Sequence, residues 1–329
     1  MKPRSILLLA LVVACSYLTG AKTYPLVYQW LHASGTEAPF KWPDGFEVRN
    51  IQSSVDGSMQ NAYFYAVPPT TGKRPLLVSL HFWAGNYATP DALAALAKRN
   101  NWNYIHPDFR GPAVATDNCL SDKVIADLED AISFAQANGN VDNHNIFVVG
   151  FSGGAYTALG WYAKTRHPVK AWLAWAPISD LAAWQLETLR NGKADLSEYV
   201  LGCTGSGAEI NTESARARSP LYWPLPDSPR GRLELYAGIK DGHKGTVPIA
   251  HSLAYFNHLV EGYAKPEASV ESSVAMRLLT QGEPATANRI GDRAVFFQRD
   301  VGFASLTVYD GGHELLAEYC FDRLLDLSK

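Results

Sequence analysis

A chain of 329 residues, 47% hydrophobic and 12% aromatic, holds enough apolar material for one large core or two small ones. A formal charge of -3 leaves no basic footprint, which excludes nucleic acid as the expected partner. Low-complexity tracts and repeats at solenoid or propeller periods are absent from the sequence, so neither an array nor a disordered chain is expected.

The first element is an export signal. Lys2 and Arg4 precede the apolar run 5-SILLLALVVA-14, which is too short to span a bilayer and has the length of a signal-peptide core. Val12-Val13-Ala14-Cys15 resembles a bacterial lipobox, so Cys15 is the expected lipidation site, and Ser16 after it favours the outer membrane over the inner. Simple cleavage after Ala21 is the alternative, which makes 1–21 the leader and 22–329 the mature domain. Either route takes the protein to the cell envelope or outside it, where cysteines oxidise. Cys119 and Cys203 lie in polar, loop-like stretches and form the candidate disulfide, whereas Cys320 falls in an apolar helical pattern and reads as a buried thiol.

Strands then alternate with helices. The candidates 46-FEVRNIQS-53 and 61-NAYFYAVP-68 flank Asp56-Gly57, a hairpin turn signal. Next come 76-LLVSLHF-82, 102-WNYIHP-107, 145-NIFVVGF-151, 169-VKAWLAWAP-177, 232-RLELYAG-238 and 305-SLTVYDG-311. Helix-period stretches lie near 90–100, 121–138, 153–166, 247–263 and 313–327. A hairpin followed by β-α-β-α units predicts one α/β domain, a mostly parallel sheet of about eight strands with helices on both faces. Two stretches fall outside the alternation: 183–230, a candidate lid or substrate wall, and 264–303, read as a surface insertion.

The fifth strand runs into Gly150-Phe151-Ser152-Gly153-Gly154 and then into a helix. Small residues two before and two after the serine suit a sharp strand-to-helix turn that lifts the hydroxyl above the sheet. A serine hydroxyl is a weak nucleophile, so a carboxylate and a histidine are expected later in the chain, in that order. Asp241 follows the seventh strand and His313 follows the eighth; His313 is the candidate base and Asp241 its orienting acid, preferred over Asp180 and Asp310. Such a base predicts loss of activity as acid protonates it. His243, beside Asp241, is read as a substrate contact, and the remaining histidines as surface or core residues. The backbone N–H groups of Gly153 and of Trp83, in Leu80-His81-Phe82-Trp83-Ala84-Gly85, are the candidate oxyanion donors. Trp83, Trp175, Trp184 and Trp223 are candidates for stacking on a sugar or aromatic acyl group, with a place in the core as the commoner alternative for a tryptophan, and Arg110 for binding a substrate carbonyl or carboxylate, with a structural ion pair as its alternative. The sequence shows no ligand spacing for a metal and implies no organic cofactor.

These segments, with 107-PDFRGP-112, 141-VDNHNIFVVGFSGG-154, 238-GIKDG-242 and 309-YDGGHE-314, resemble the alpha/beta-hydrolase superfamily over about residues 45–329, and within it the prolyl-oligopeptidase-like and acetyl-xylan-esterase-like serine hydrolases. The resemblance implies that fold and a serine hydrolase; 176-APISDLAAW-184 adds a likeness to exported bacterial enzymes associated with polysaccharide breakdown. One departure is the acid loop, where Val247-Pro248 follow Asp241 by six residues instead of the family's usual three. Related peptidases carry a large domain ahead of the hydrolase, for which this chain has no room, so an ester is the expected substrate: an acylated carbohydrate, with feruloyl esters and proline peptides as alternatives and a non-catalytic glycan-binding lipoprotein as the least favoured reading. No membrane contact beyond the lipid anchor is expected, and oligomeric state is left open.

Overall fold

The computed structural model describes residues 40–282 and 287–329, so the export segment 1–21 with Cys15 lies outside the described residues. Trp42–Lys329 packs as one unit. Its strands are β1 (Glu47–Gln52), β2 (Met59–Tyr65), β3 (Arg74–Leu80), β4 (Asn103–Pro107), β5 (Val141–Phe151), β6 (Ala171–Trp175), β7 (Arg232–Gly238), β8 (Arg289–Ile290), β9 (Arg293–Asp300) and β10 (Ala304–Tyr309). They form one sheet in the order β1-β2-β4-β3-β5-β6-β7-β10-β9-β8. Pairing is parallel from β4 through β10 and antiparallel at both ends, β1–β2–β4 on one side and β10–β9–β8 on the other.

The central strands read as unbroken apolar runs because helices cover both faces of the sheet. Successive side chains enter opposite cores. Leu76, Val78, Ile146, Val148, Trp172 and Ala174 point to one, against α2 (Asp122–Asn138), α3 (Gly153–Lys164) and α7 (Ala250–Gly262). Leu77, Phe147, Val149, Leu173 and Trp175 point to the other, against α1 (Ala92–Arg99) and α9 (Ala317–Ser328). Helix starts carry caps: Asp91 accepts from Leu93 N–H, Ser121 from Val124 N–H, and Asp180 from Ala182 and Ala183 N–H at α4 (Leu181–Arg190). Each such cap contributes about 1 kcal/mol.

The sheet differs from the sequence expectation in having ten strands. Much of segment 264–303 is folded: α8 (Ser272–Leu279) precedes the short β8 and then β9, which extends the sheet beyond β10. β9 was hidden by Arg293, Gln298, Arg299 and Asp300, charges and amides suited to a strand near an edge. The first hairpin closes through 53–58 rather than a two-residue turn, with Ser53 N–H donating to Ser58 O and Gly57 N–H to Ser53 O. The last helix starts at Ala317, four residues after His313, leaving Gly311–Leu316 as a loop.

Segment 183–230 contains most of α4, then α5 (Ala194–Thr204) and α6 (Thr212–Ala217). A Cys119–Cys203 disulfide, Cα atoms 5.6 Å apart, ties α5 to the loop after β4. Arg218 Nη1 adds bonds to Thr116 O and Cys119 O, at 2.7 and 2.8 Å. Cys320 is buried and free, and burial raises its thiol pKa.

Candidate functional site

Ser152 links β5 to α3 with φ 55° and ψ −117°, a conformation that costs of order 1–3 kcal/mol for a non-glycine residue. Its neighbours hold it there: Ser152 N–H donates to Trp175 O at 2.8 Å, and Ser152 O accepts from Tyr156 N–H at 2.9 Å. The three glycines around it are steric requirements. A Cβ on Gly150 would stand 2.3 Å from Gly154 O, one on Gly154 2.4 Å from Leu80 O, and one on Gly153 2.3 Å from Trp83 N. The turn thus folds only where β5, α3 and the loop after β3 come within backbone contact.

Parallel pairing of β7 with β10 brings the two later residues together, since Gly238 lies opposite Tyr309 and both loops leave the same end of the sheet. Gly238 lets that close approach occur, because a Cβ there would meet Gly312 O at 2.3 Å and Gly311 O at 2.6 Å. His313 Nδ1 lies 2.7 Å from Asp241 Oδ2, and His313 Nε2 lies 2.9 Å from Ser152 Oγ. With Asp241 as acceptor, the proton is assigned to Nδ1, which leaves Nε2 to accept from the serine hydroxyl. Asp241 is 2% exposed and Ser152 7%, so the chain is shielded from water except near the imidazole. Phe151 stands against the His313 ring, centroids 4.7 Å apart.

The longer acid loop closes on the carboxylate. Asp241 Oδ1 accepts from Gly242 N–H at 2.9 Å and from Val247 N–H at 3.0 Å, so the six-residue spacing still returns an amide donor to the acid. Gly245 makes this possible: a Cβ there would lie 2.1 Å from Asp241 Oδ1 and 2.8 Å from His313 Cβ. Of these residues only Gly245 went unnoticed in the sequence, where a second glycine in a loop already bent by Gly242 was the available signal.

The candidate oxyanion donors are adjacent, as the contact of Gly153 with Trp83 N requires. Gly153 N–H is an orphan of the first turn of α3. Neither N–H has an acceptor among the described residues. The loop bearing Trp83 is fixed from below by His81, whose Nδ1 lies 2.9 Å from Phe82 O and whose Nε2 lies 2.8 Å from Asp108 O, its ring stacked on Phe109 at 3.9 Å. Burial lowers the His81 pKa and raises that of Asp108.

The proposed substrate contacts fare differently. Trp83 is 3% exposed and Trp184 1%, and their rings pack on each other at 4.6 Å rather than lining an open surface. Trp175 is buried in the opposite core, stacked on Tyr236. Trp223 lies under Lys164, the last residue of α3, about 18 Å along the helix from Ser152, and its indole donates to Ala217 O. Arg110 is spent on Asp56, Asp127 and Ser53, the structural ion pair of the alternative reading. His243 is exposed on the acid loop. Asp180, the rival acid, caps α4 and accepts from Tyr222 Oη at 2.6 Å; Asp310 pairs with Lys240.

No family model and no curated protein matches the chain. Solved structures do. An acylaminoacyl peptidase from Pyrococcus horikoshii is 14% identical at a TM-score of 0.58, over 92% of this chain and 42% of its own. A puromycin-hydrolysing peptidase from Mycobacterium tuberculosis is 17% identical at 0.55, over 86% and 38%. An esterase from Pyrococcus furiosus is 13% identical at 0.55, over 89% of this chain and 93% of the esterase. The chain therefore spans about two fifths of the length of the peptidases and nearly all of the esterase. The protein has the alpha/beta-hydrolase fold, with a serine, a histidine and an aspartate hydrogen-bonded at the ends of β5, β10 and β7.

Proposed function

We propose that the protein is an exported serine hydrolase that cleaves carboxylic esters through an acyl-enzyme. The observation that carries this reading is the continuous hydrogen-bond chain Asp241–His313–Ser152 beside two N–H groups, those of Gly153 and Trp83, that have no acceptor among the described residues. Ser152 Oγ attacks the ester carbonyl while His313 Nε2 takes its proton. The developing oxyanion is received by the N–H groups of Gly153 and Trp83. Collapse expels the alcohol, which leaves with the proton from His313, and water activated by the same imidazole then releases the acid and restores Ser152.

Export is supported by the signal-like N-terminus and by the Cys119–Cys203 bridge, which persists in oxidising compartments. An acetylated or similarly acylated carbohydrate is the substrate carried forward from sequence, although burial of Trp83 and Trp184 removes the stacking platform that favoured sugar. A peptidase is the second reading, favoured by the likeness to acylaminoacyl and puromycin-hydrolysing peptidases. One panel separates them: an aryl acetate, acetylated plant polysaccharides, a feruloyl ester, an acylaminoacyl peptide and a proline peptide, each with Ser152→Ala as control. Serine-dependent acetate release from polysaccharide supports the carbohydrate reading. Serine-dependent peptide cleavage without ester turnover refutes the esterase, and fluorophosphonate failing to label Ser152 refutes both.

A further inference from the structure

The candidate lid segment begins with α4, and one face of that helix holds the acid loop at two points and the first turn of α7 at a third. Trp184, Glu187 and Asn191 are spaced i, i+3 and i+7, so they share a side. Asn191 Nδ2 donates to Gly242 O at 3.0 Å, Trp184 Nε1 to Thr246 O at 2.8 Å, and Glu187 Oε2 meets His251 Nε2 at 2.9 Å. The His251 ring is held on its other side by the N–H groups of Ser179 and Asp180, at the start of the same helix.

The middle contact differs in kind from the other two. The carbonyl of Thr246 and the N–H of Val247 belong to one peptide group. Its oxygen accepts from Trp184, and its N–H donates to Asp241 Oδ1 at 3.0 Å. A donor at the carbonyl both fixes the plane of that peptide and polarises its N–H, since hydrogen bonds in series strengthen one another. From there the chain runs through Asp241 Oδ2, His313 and Ser152 Oγ. The same indole packs on Trp83, whose N–H is a candidate oxyanion donor. One buried side chain thus touches the supports of both the acid and the oxyanion site.

We propose that Trp184 is a positioning residue, acting through the Thr246–Val247 peptide on Asp241 and through ring contact on the Trp83 loop. This rests on the serine-hydrolase reading of the site. The indole N–H is the atom that matters for the acid, and the ring face for the oxyanion loop. Removing the N–H alone should loosen the Asp241–His313 geometry while leaving substrate access unchanged, so kcat falls and KM does not.

The test uses two variants of the full protein: Trp184→Phe, and benzothienylalanine at position 184, which keeps the fused ring and lacks only the N–H. Both are assayed on an aryl acetate, with the rate of fluorophosphonate labelling of Ser152 and the downfield proton resonance of the His313 Nδ1–H recorded alongside. Loss of one buried donor predicts a kcat lower by about 5- to 10-fold with KM within about twofold. The labelling rate should fall in parallel, and the downfield resonance should shift or broaden. Should benzothienylalanine leave kcat, labelling and the resonance at wild-type values, Trp184 is ordinary core and the proposal is overturned. Wild-type protein that fluorophosphonate does not label at Ser152 would instead overturn the assignment of the site, a result distinct from an unaffected variant.

Discussion

Gly245→Ala should disable the protein by steric intrusion alone. Gly245 does not need a left-handed backbone, so alanine costs nothing in φ. The added Cβ would sit 2.1 Å from Asp241 Oδ1 and 2.8 Å from His313 Cβ, where ordinary contact begins near 3.4 Å. The carboxylate or the loop must therefore yield by more than 1 Å. Asp241 cannot turn away without losing Gly242 N–H, Val247 N–H or His313 Nδ1–H, and the loop cannot retreat without straining Thr246 O from Trp184. Loss of one donor to a buried carboxylate costs about 1–3 kcal/mol of stability. A misplacement near 1 Å in the supporting geometry lowers the rate by about 10²-fold. The assay is kcat/KM on an aryl acetate, with active sites counted by fluorophosphonate and folding followed by thermal melting. A Gly245→Ala protein that melts within a few degrees of wild type and keeps activity within about threefold would refute the claim that this glycine reserves space for the acid.

Three further outcomes are expected. Gly153→Ala places a Cβ 2.3 Å from Trp83 N and should lower kcat by about 10²–10³-fold, the loss typical of an oxyanion donor; steady-state kinetics with kcat intact would remove Trp83 and Gly153 from that role. Replacing Cys119 and Cys203 by serine opens a ring of 84-residue separation and should cost about 4 kcal/mol, read as a lower urea midpoint that reductant no longer changes; equal midpoints would mean the bridge contributes nothing. His106 is buried, and burial pushes its pKa down to about 4, so the fold keeps it neutral where the unfolded chain takes a proton near 6.5. Its contribution is whole above pH 6.5 and is lost as the pH falls toward 4, at up to about 1.4 kcal/mol per pH unit. Urea titrations at pH 7 and 4.5 should show His106→Phe losing about 2–3 kcal/mol less than wild type on acidification, and identical losses would contradict the assignment.

The elbow was legible because its constraints are local: three glycines and a serine between a buried strand and a helix leave few other folds for 145–163. Asp241 and His313 were legible because chain order and strand ends place them, without any knowledge of which strands pair. The tryptophans were left between core and substrate wall for the opposite reason. Trp184 lies at a helical position from which the sequence does not say which side faces the loop, and an indole serves a core, a hydrogen bond or a sugar equally well. Arg110 was undecided in sequence because its partners, Asp56 and Asp127, stand 54 and 17 residues away. Gly245 escaped notice because its importance lies in what is missing from it, and that becomes visible only when the carboxylate is in place.

The bridge between Cys119 and Cys203 encloses β5, the elbow, α3 and β6, while Asp241 and His313 lie beyond it. A chain that emerges N-terminus first can close this ring, with the serine inside, before β7 and β10 have arrived. Ser152 is then enclosed before His313 and Asp241, which the last third of the sequence delivers, can reach it.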